Sequence, residues 1–268
     1  FADLDNLLAG LQRSDLIILA ARPSVGKTSL ALDIVRQVAV KAKVAVGVFS
    51  LEMSKEQLVD RLLCAEANVD LWKMRTGRLS DREEDDDFPR IGHAMGLLSE
   101  SPIFIDDSAS LNVMEIRTKA RRLKSEHNLG LVVIDYLQLM ESRASAENRV
   151  QAVAEITRAL KGIARELDVP VLALSQLSRA VEMQKPAIPK LSNLRESGSI
   201  EQDADVVLFI YRKAADRNYR EEELTAQEKH LAEIHIAKHR NGPTGKVNLY
   251  FDETKACFRS LDKTFSNN

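Results

Sequence analysis

Residues 16–28 of the chain read LIILAARPSVGKT. The first five form an apolar run that predicts a buried strand over 16–20, and the amphipathic stretch 28–42 predicts a helix. The eight residues from Ala21 to Thr28, ARPSVGKT, match the GxxxxGK[ST] pattern of a phosphate-binding loop, with Ala21 in place of the first glycine. Because a strand precedes the motif and a helix follows it, we predict a nucleotide site at this strand–loop–helix junction.

The loop predicts specific contacts with phosphate and metal. Successive backbone N–H groups and the N-terminus of the following helix are expected to surround phosphate oxygens. We expect Lys27 to reach the β- and γ-phosphates and the Thr28 hydroxyl to bind Mg²⁺. The predicted nucleotide-binding residues are Ser24, Val25, Gly26, Lys27, Thr28 and Ser29.

On both sides of the loop, short apolar runs alternate with longer amphipathic stretches. Near-continuous apolar runs are typical of parallel strands that are covered on both faces. The further predicted strands are 44–50, 103–106, 131–135, 171–176 and 206–211. The further predicted helices are 54–68, roughly 81–98, 112–127 and 147–168. Asn112 and Glu115 have the spacing of a capping box, and the alternation predicts βαβ units in a parallel sheet.

The pattern changes after residue 211. A charged stretch, 212–230, precedes two apolar runs, 232–238 and 246–251, which flank the turn sequence NGPTG. These runs predict an antiparallel hairpin. The predicted fold class is therefore α/β, with a mainly parallel central sheet, flanking helices and a C-terminal antiparallel hairpin. No repeat or linker divides the chain, so we expect residues 1–268 to form a single domain, with 1–15 as a helical approach segment.

The composition excludes several classes of protein. The chain has 268 residues, 44% of them hydrophobic and 29% charged, which excludes disordered, collagen-like and fibrous proteins. The apolar runs are far shorter than the roughly 18 residues of a membrane span. No signal-like segment opens the chain, so we expect a soluble cytoplasmic protein without membrane contact. Two cysteines, Cys64 and Cys257, and five scattered histidines predict buried or half-buried thiols and no zinc site.

Charge is distributed unevenly. The formal net charge is −2, which argues against a uniformly basic surface that coats nucleic acid. However, residues 115–126 carry five basic and two acidic side chains, and residues 176–199 carry four basic and two acidic ones. A recessed basic channel in a near-neutral protein is consistent with this distribution.

Three of the predicted strands have a polar side chain at or just after their last residue. Asp135 ends the run LVVID, which is the Walker B pattern for a carboxylate that positions a metal. Glu52 follows strand 44–50 and is our candidate for the carboxylate that activates water. Gln176 ends strand 171–176 and could sense the γ-phosphate through its amide. Because ligands of open α/β sheets bind at the carboxyl ends of the strands, we expect these groups to converge on the phosphate loop.

Together these motifs resemble the C-terminal ATPase domain of DnaB-type replicative DNA helicases, which are hexameric motors with a RecA-like P-loop fold. The resemblance covers nearly the whole chain. The segments that carry it are ARPSVGKT, FSLEMS, FIDDS, KARRL, VVIDYLQLM, LALSQLSR, LRESGSIEQDAD and KHRNGPTG. The phosphate loop alone indicates only an NTPase, whereas the combination is specific to this family.

The resemblance implies ATP- and Mg²⁺-dependent translocation along single-stranded DNA, 5′ to 3′, with unwinding at the replication fork. It assigns Glu52 as the catalytic carboxylate, Asp135 as Walker B and Gln176 as the coupling sensor. Lys238 and Arg240 match the pair that is offered to the ATP of a neighbouring subunit. On a strand that extends to Arg240, the two-residue period places both cations on one side, and an arginine finger in trans is one physical use of such a pair.

For DNA, the resemblance points to Arg195, Glu196 and Gly198, within the candidate loops 138–149 and 178–199. Arg195 can pair with a phosphate, and Gly198 exposes its backbone N–H; Glu196 would contribute through its backbone. No aromatic residue occurs in 176–199, so we expect the protein to follow the DNA backbone with little sequence preference.

The expected partners are single-stranded DNA and further copies of this chain in a homo-hexameric ring. The helical N-terminal domain of the family, which binds primase, has no counterpart in this chain, so any primase or helicase loader is expected to bind through other parts. The expected location is the bacterial cytoplasm, at the nucleoid or replisome, for a bacterial or phage-encoded protein.

Two alternatives remain open from the sequence. A RecA-like recombination or repair ATPase would share the core and the phosphate loop, but would promote strand exchange or filament formation. A non-catalytic ATP-binding assembly factor would need none of Glu52, Asp135 and Arg240.

Overall fold

The computed structural model describes residues 1–82, 85–140, 149–194 and 198–261, and the side chain of Arg149 is not described. Its strands are β1 Leu16–Ala21, β2 Val46–Ser50, β3 Ile103–Asp106, β4 Leu131–Asp135, β5 Val171–Gln176, β6 Val206–Tyr211, β7 Leu231–His239, β8 Gly245–Asp252 and β9 Cys257–Ser260. Its α-helices are α1 Ala2–Leu8, α2 Lys27–Arg36, α3 Lys55–Ala67, α4 Leu71–Thr76, α5 Asp87–Ser99, α6 Val113–His127, α7 Arg149–Leu167, α8 Gly198–Asp203 and α9 Ala226–His230.

All nine strands belong to one sheet, in the order β3-β2-β4-β5-β1-β6-β7-β8-β9. The first six of these strands run parallel, and β7, β8 and β9 continue the sheet antiparallel. The predicted α/β fold is therefore confirmed. The C-terminal part is larger than the predicted hairpin, because β9 adds a third antiparallel strand.

Alternate residues of β1 enter the two hydrophobic cores on opposite faces of the sheet. Ile17 and Leu19 pack in the core that contains Leu30 of α2. Leu16 and Ile18 pack in the core that contains Leu160 of α7. Both faces are covered, which explains why the parallel strands read as continuous apolar runs.

Helix ends follow local capping signals. Asn112 accepts hydrogen bonds from the backbone of Met114 and Glu115, and the Glu115 side chain accepts one from the Asn112 N–H, which confirms the predicted capping box. The helix predicted over 28–42 ends as an α-helix at Arg36 and continues as a π-helical turn, Gln37–Lys41. The helix predicted over roughly 81–98 begins only at Asp87, where Asp86 caps the Phe88 N–H at 3.0 Å.

Both cysteines are buried, and burial raises the pKa of the Cys64 thiol to about 11. Within the described ranges, none of the helices is both long enough and apolar enough to span a membrane.

Candidate nucleotide-binding site

The phosphate loop connects the carboxyl end of β1 to the N-terminus of α2. Ser24 and Gly26 have positive φ angles of 64° and 109°, and Gly26 occupies the N-cap position of α2. A Cβ atom on Gly26 would lie 2.9 Å from Cζ of the buried Phe258. Glycine is therefore required at this position by both backbone conformation and packing.

Lys27 and Thr28 both contact the Walker B carboxylate at the end of β4. The Thr28 hydroxyl donates to Asp135 Oδ2 at 2.6 Å, and Lys27 Nζ lies 3.4 Å from Asp135 Oδ1. Lys27 Nζ also lies 4.0 Å from the centroid of the Tyr136 ring. The side chains predicted to hold phosphate and metal therefore meet at one point.

Asp135 passes a structural test for a metal site. The residue is 3% exposed, and its Oδ1 has no hydrogen-bond donor within the described residues, although Lys27 lies within ion-pair distance. A buried carboxylate oxygen without a donor is unfavourable unless a cation or an ordered water meets it. Hydroxyl and carboxylate oxygens are also the ligand type that Mg²⁺ prefers. The residues present therefore fit Mg²⁺, with Thr28 and Asp135 as the groups that would hold it.

Glu52 is held at the edge of the same cleft by the turn that follows β2. The Leu51 N–H donates to the Asp135 carbonyl at 2.7 Å, and the Ser50 hydroxyl donates to the Met53 carbonyl at 2.7 Å. Glu52 is exposed and lines the cleft. Its carboxylate is thus open to solvent within the cleft.

Gln176 ends β5 beside Ala21, its partner in the register of β1. The side chain of Gln138 fixes its backbone: the Gln176 N–H donates to Gln138 Oε1 at 3.2 Å, and Gln138 Nε2 donates to the Ser175 hydroxyl at 2.9 Å. Gln176 lines the cleft together with Glu52. The structure therefore brings the strand-end residues to one place, as their positions in the sequence predicted.

The cleft has a volume of about 490 Å³ and includes side chains that the sequence did not point to. Arg61 of α3 donates to the Ser29 hydroxyl at 3.3 Å, and burial lowers the pKa of its guanidinium. At the other side of the cleft, Arg212 lies over the ring of Phe251, with its guanidinium carbon 4.0 Å from the centroid, and pairs with Glu253. Arg212 directly follows β6, so the strand-end rule that selected Gln176 would also have selected it.

Lys238 and Arg240 lie at the amino ends of the parallel strands, whereas this cleft lies at their carboxyl ends. His239, between them in sequence, pairs with Val206 at the start of β6, whereas the cleft lies at the carboxyl ends of β1, β4 and β5. The six residues of β1 separate the amino and carboxyl ends of the strand by about 17 Å, at 3.3 Å per residue. The pair therefore lies remote from the phosphate loop of its own chain.

Of the residues predicted to contact DNA, the structure describes Gly198. It begins α8 and is exposed, and a Cβ atom there would have no neighbour within 4 Å. Arg195 and Glu196 lie outside the described residues, as does most of the candidate loop 138–149.

Comparisons with known proteins agree with this geometry. The family model for the DnaB-like helicase C terminal domain matches residues 1–260. The chain is 52% identical over 266 residues to the replicative DNA helicase DnaB of Geobacillus stearothermophilus, covering 99% of this chain and 56% of that protein. It is also 52% identical over 268 residues to the replicative DNA helicase DnaC of Bacillus subtilis, covering 100% and 57%. The chain therefore spans little more than half the length of these relatives.

Solved structures resemble the chain closely. One of them, described as an ATPase domain, superposes with a TM-score of 0.89 at 38% identity, covering 98% of this chain and 90% of that one. A DnaB-like replicative helicase, described together with its interactions with primase, gives the same TM-score and identity and covers 98% of this chain and 62% of that one.

Proposed function

The chain belongs to the family of DnaB-like helicase C-terminal domains, and from this premise we propose that it is the ATP-hydrolysing motor of a replicative DNA helicase. In this proposal it moves 5′ to 3′ along single-stranded DNA as a homo-hexamer and unwinds duplex DNA at the replication fork. The observation that carries the proposal is the meeting of Lys27, Thr28 and the partly unsatisfied Asp135 in a cleft lined by Glu52 and Gln176.

In the proposed mechanism, the phosphate loop binds and orients ATP. The backbone of Ser24, Val25 and Gly26 and the α2 N-terminus at Thr28 and Ser29 surround the phosphate oxygens, because unpaired N–H groups there favour anions. Lys27 leaves Asp135 for the β- and γ-phosphates. Thr28 and Asp135 would hold Mg²⁺, which would supply positive charge to neutralise the phosphates.

Hydrolysis requires a water molecule in line with the γ-phosphate. We assign Glu52 to orient that water and accept its proton, because it lies at the cleft edge and is exposed to solvent. Gln176 senses the γ-phosphate through its side-chain amide. Its backbone N–H is bonded to Gln138, the first residue of the candidate DNA loop 138–149, so a shift of Gln176 would move Gln138.

The trans assignment of Lys238 and Arg240 is supported by their distance from their own phosphate loop. A cation at the amino ends of the strands can act only on a nucleotide held by another subunit. We assign Arg240 as the finger, with Lys238 beside it, and an arginine finger contributes about 10³–10⁵ in turnover.

We assign DNA contact to Arg195, Glu196 and Gly198. A DnaB-like relative of known structure is described with primase, and we propose that primase and a helicase loader bind this protein through parts outside this chain. The proposed location is the replisome in the bacterial cytoplasm, as for bacterial replicative helicases. The family match does not favour a recombination ATPase or a non-catalytic assembly factor.

The direct test is strand displacement on forked DNA that carries either a 5′ or a 3′ single-stranded tail. We expect ATP-dependent unwinding only with the 5′ tail, and no unwinding by Lys27→Ala. Displacement from the 3′ tail, or strand exchange without displacement, would contradict the proposal.

A second test addresses the shared site. Arg240→Ala subunits retain an intact phosphate loop, and Lys27→Ala subunits retain an intact finger. Mixing the two inactive variants should therefore restore part of the ATPase activity wherever an intact finger meets an intact loop. Wild-type activity that stays proportional to concentration down to a demonstrated monomer would contradict a site shared between subunits.

A further inference from the structure

Lys238, near the end of β7, and Arg240, just after that strand, have partners within their own chain, and the partners that the structure describes lie in one short segment. Lys238 Nζ donates to the carbonyl oxygens of Glu201 and Ala204 at 2.5 and 2.7 Å. Arg240 Nη1 donates to Asp205 Oδ1 at 3.2 Å, and the Arg240 N–H donates to the Asp205 carbonyl at 2.8 Å. The C-terminal end of α8 and the residues that follow it therefore hold the turn in place.

The two oxygens of the Asp205 carboxylate have different partners. Oδ2 accepts from the Leu16 N–H at the start of β1, at 2.8 Å, and from Lys161 Nζ of α7, at 2.5 Å. Oδ1 accepts from Arg240. Asp205 is 2% exposed, so the position of Oδ1 is fixed by the sheet and by α7.

The charge of Asp205 is maintained despite its burial. Burial alone would raise the pKa of this carboxyl, but hydrogen bonds from Lys161, from the Leu16 N–H and from Arg240 outweigh it and lower the pKa below its usual value. A hydrogen bond from a guanidinium to an ionised acceptor is stronger than one to a neutral acceptor.

Arg240 retains the capacity to bind a second anion while it is bonded to Asp205. A guanidinium has five N–H donors in a planar fork, and the side-chain bond to Asp205 uses one nitrogen. The Arg240 side chain is 57% exposed, so more than half of its surface is open to solvent. Asp205 therefore restricts the orientation of Arg240 without covering it.

We propose that Asp205 is the positioning residue of Arg240, which holds the guanidinium in the orientation that meets the nucleotide of a neighbouring subunit. This inference rests on the proposed function, because it requires that Arg240 act on ATP. Asp205 does not itself touch the nucleotide; it acts through Arg240.

The variant Asp205→Asn tests this role with little change in volume. The remaining amide oxygen can still accept from Leu16 and Lys161, whereas the amide N–H₂ faces Arg240 and cannot accept from it. We expect turnover of ATP to fall by about 10- to 100-fold, as for a misplaced catalytic group. The nucleotide dissociation constant should change by less than about twofold, because the phosphate loop lies at the carboxyl end of β1 and Asp205 lies at its amino end.

A double-mutant cycle separates positioning from general damage. If Asp205 acts only through Arg240, the double variant Asp205→Asn, Arg240→Ala should turn over ATP at the rate of Arg240→Ala alone. Independent, multiplicative losses would overturn the proposal. So would wild-type or increased turnover of Asp205→Asn, since an increase would mean that Asp205 restrains the finger rather than presents it.

Lys161→Met provides the matched control, because it removes a partner of Oδ2 and leaves the acceptor of Arg240 in place. Because Lys161 also helps to fix and ionise Asp205, we expect some loss of turnover, but a smaller one than in Asp205→Asn, with the urea midpoints of both variants measured in parallel. If Asp205→Asn loses no more turnover than Lys161→Met at an equal loss of stability, the role of Asp205 is structural and the proposal is wrong.

Mixing experiments distinguish failure of this inference from failure of the proposed function. Asp205→Asn subunits should regain activity with Lys27→Ala subunits but not with Arg240→Ala subunits, because Asp205→Asn and Arg240→Ala impair the same finger. Recovery with Arg240→Ala would overturn the role of Asp205 alone. Absence of recovery between Arg240→Ala and Lys27→Ala would instead count against the shared site, while the double-mutant cycle still decides whether Asp205 acts through Arg240.

Discussion

Replacing Gly26 by alanine should destabilise the phosphate loop by a predictable amount. The residue has φ of 109°, a conformation that strains any residue with a Cβ atom. The added Cβ would lie 2.9 Å from Cζ and 3.0 Å from Cε2 of Phe258, and 3.3 Å from Cε2 of Phe251. Phe258 is 1% exposed and packs against Phe251 with ring centroids 4.6 Å apart, so neither ring can move away easily.

Two contributions add to the expected loss in the free energy of unfolding. Backbone strain at an unfavourable φ costs about 1–3 kcal/mol, and overpacking of a filled core costs about 1–3 kcal/mol. We therefore expect Gly26→Ala to lose about 2–6 kcal/mol. Because the strained loop also carries the phosphate-facing N–H groups, nucleotide affinity should fall in the same variant.

Urea unfolding and binding of a fluorescent ATP analogue measure the two effects. Gly10→Ala is the matched control, since Gly10 has φ of 80° but nothing lies within 4 Å of its added Cβ. It should show the strain alone and retain nucleotide binding. Adding Phe258→Leu to Gly26→Ala should recover part of the loss, whereas equal stability of Gly26→Ala and Gly10→Ala would refute the packing argument.

Three further predictions concern catalysis, DNA and pH. Lys27→Ala should abolish ATP hydrolysis with the fold intact by circular dichroism, whereas Glu52→Gln should bind nucleotide normally and lose turnover; wild-type turnover by Glu52→Gln would remove its catalytic assignment. Arg195→Ala should weaken binding of single-stranded DNA irrespective of sequence, and lower the slope of log affinity against log salt by about 0.7 for each phosphate that is no longer neutralised; an unchanged slope would exclude Arg195 from the DNA path. Burial raises the pKa of Asp33 from 3.8 to about 6, so the folded state binds this proton more tightly than the unfolded state does. The contribution of Asp33 to the free energy of unfolding is therefore fully present below about pH 4 and is lost as the pH rises through about 6. Asp33→Asn should remove up to about 3 kcal/mol of that pH dependence in urea unfolding at about pH 4 and pH 7, and an unchanged difference would contradict the raised pKa.

The parallel part of the fold was predictable because strands that are buried on both faces are apolar at successive positions in the sequence. Strand β4 is apolar at four successive positions and ends in Asp135, and its predicted bounds agree with the observed ones. By contrast, β9 has only four residues, with two buried and two exposed, and so lacks both a long apolar run and a regular alternation. The short helix α8 likewise has only six residues, too few for a helical period to be recognised.

The candidate site was predictable to the extent that its side chains lie at strand ends. Asp135 and Gln176 end strands, and Glu52 follows one closely, so sheet topology alone brings them together. Arg61 comes from the middle of α3, where an arginine is ordinarily a solvated surface residue, and no spacing in the sequence connects it to Ser29. Its contact depends on how α3 packs against α2, which periodicity does not specify.

The strand β1 links the two halves of the proposed catalytic site. Its carboxyl end leads into the phosphate loop at Ala21, and its first N–H, that of Leu16, is bonded to the carboxylate that holds Arg240. All six of its residues are buried, and it is paired with β5 on one side and β6 on the other, so it can shift only together with the sheet. Because β1 is held in this way, its two ends keep a fixed separation, and this is why we expect Asp205→Asn to impair the proposed finger while leaving nucleotide affinity almost unchanged.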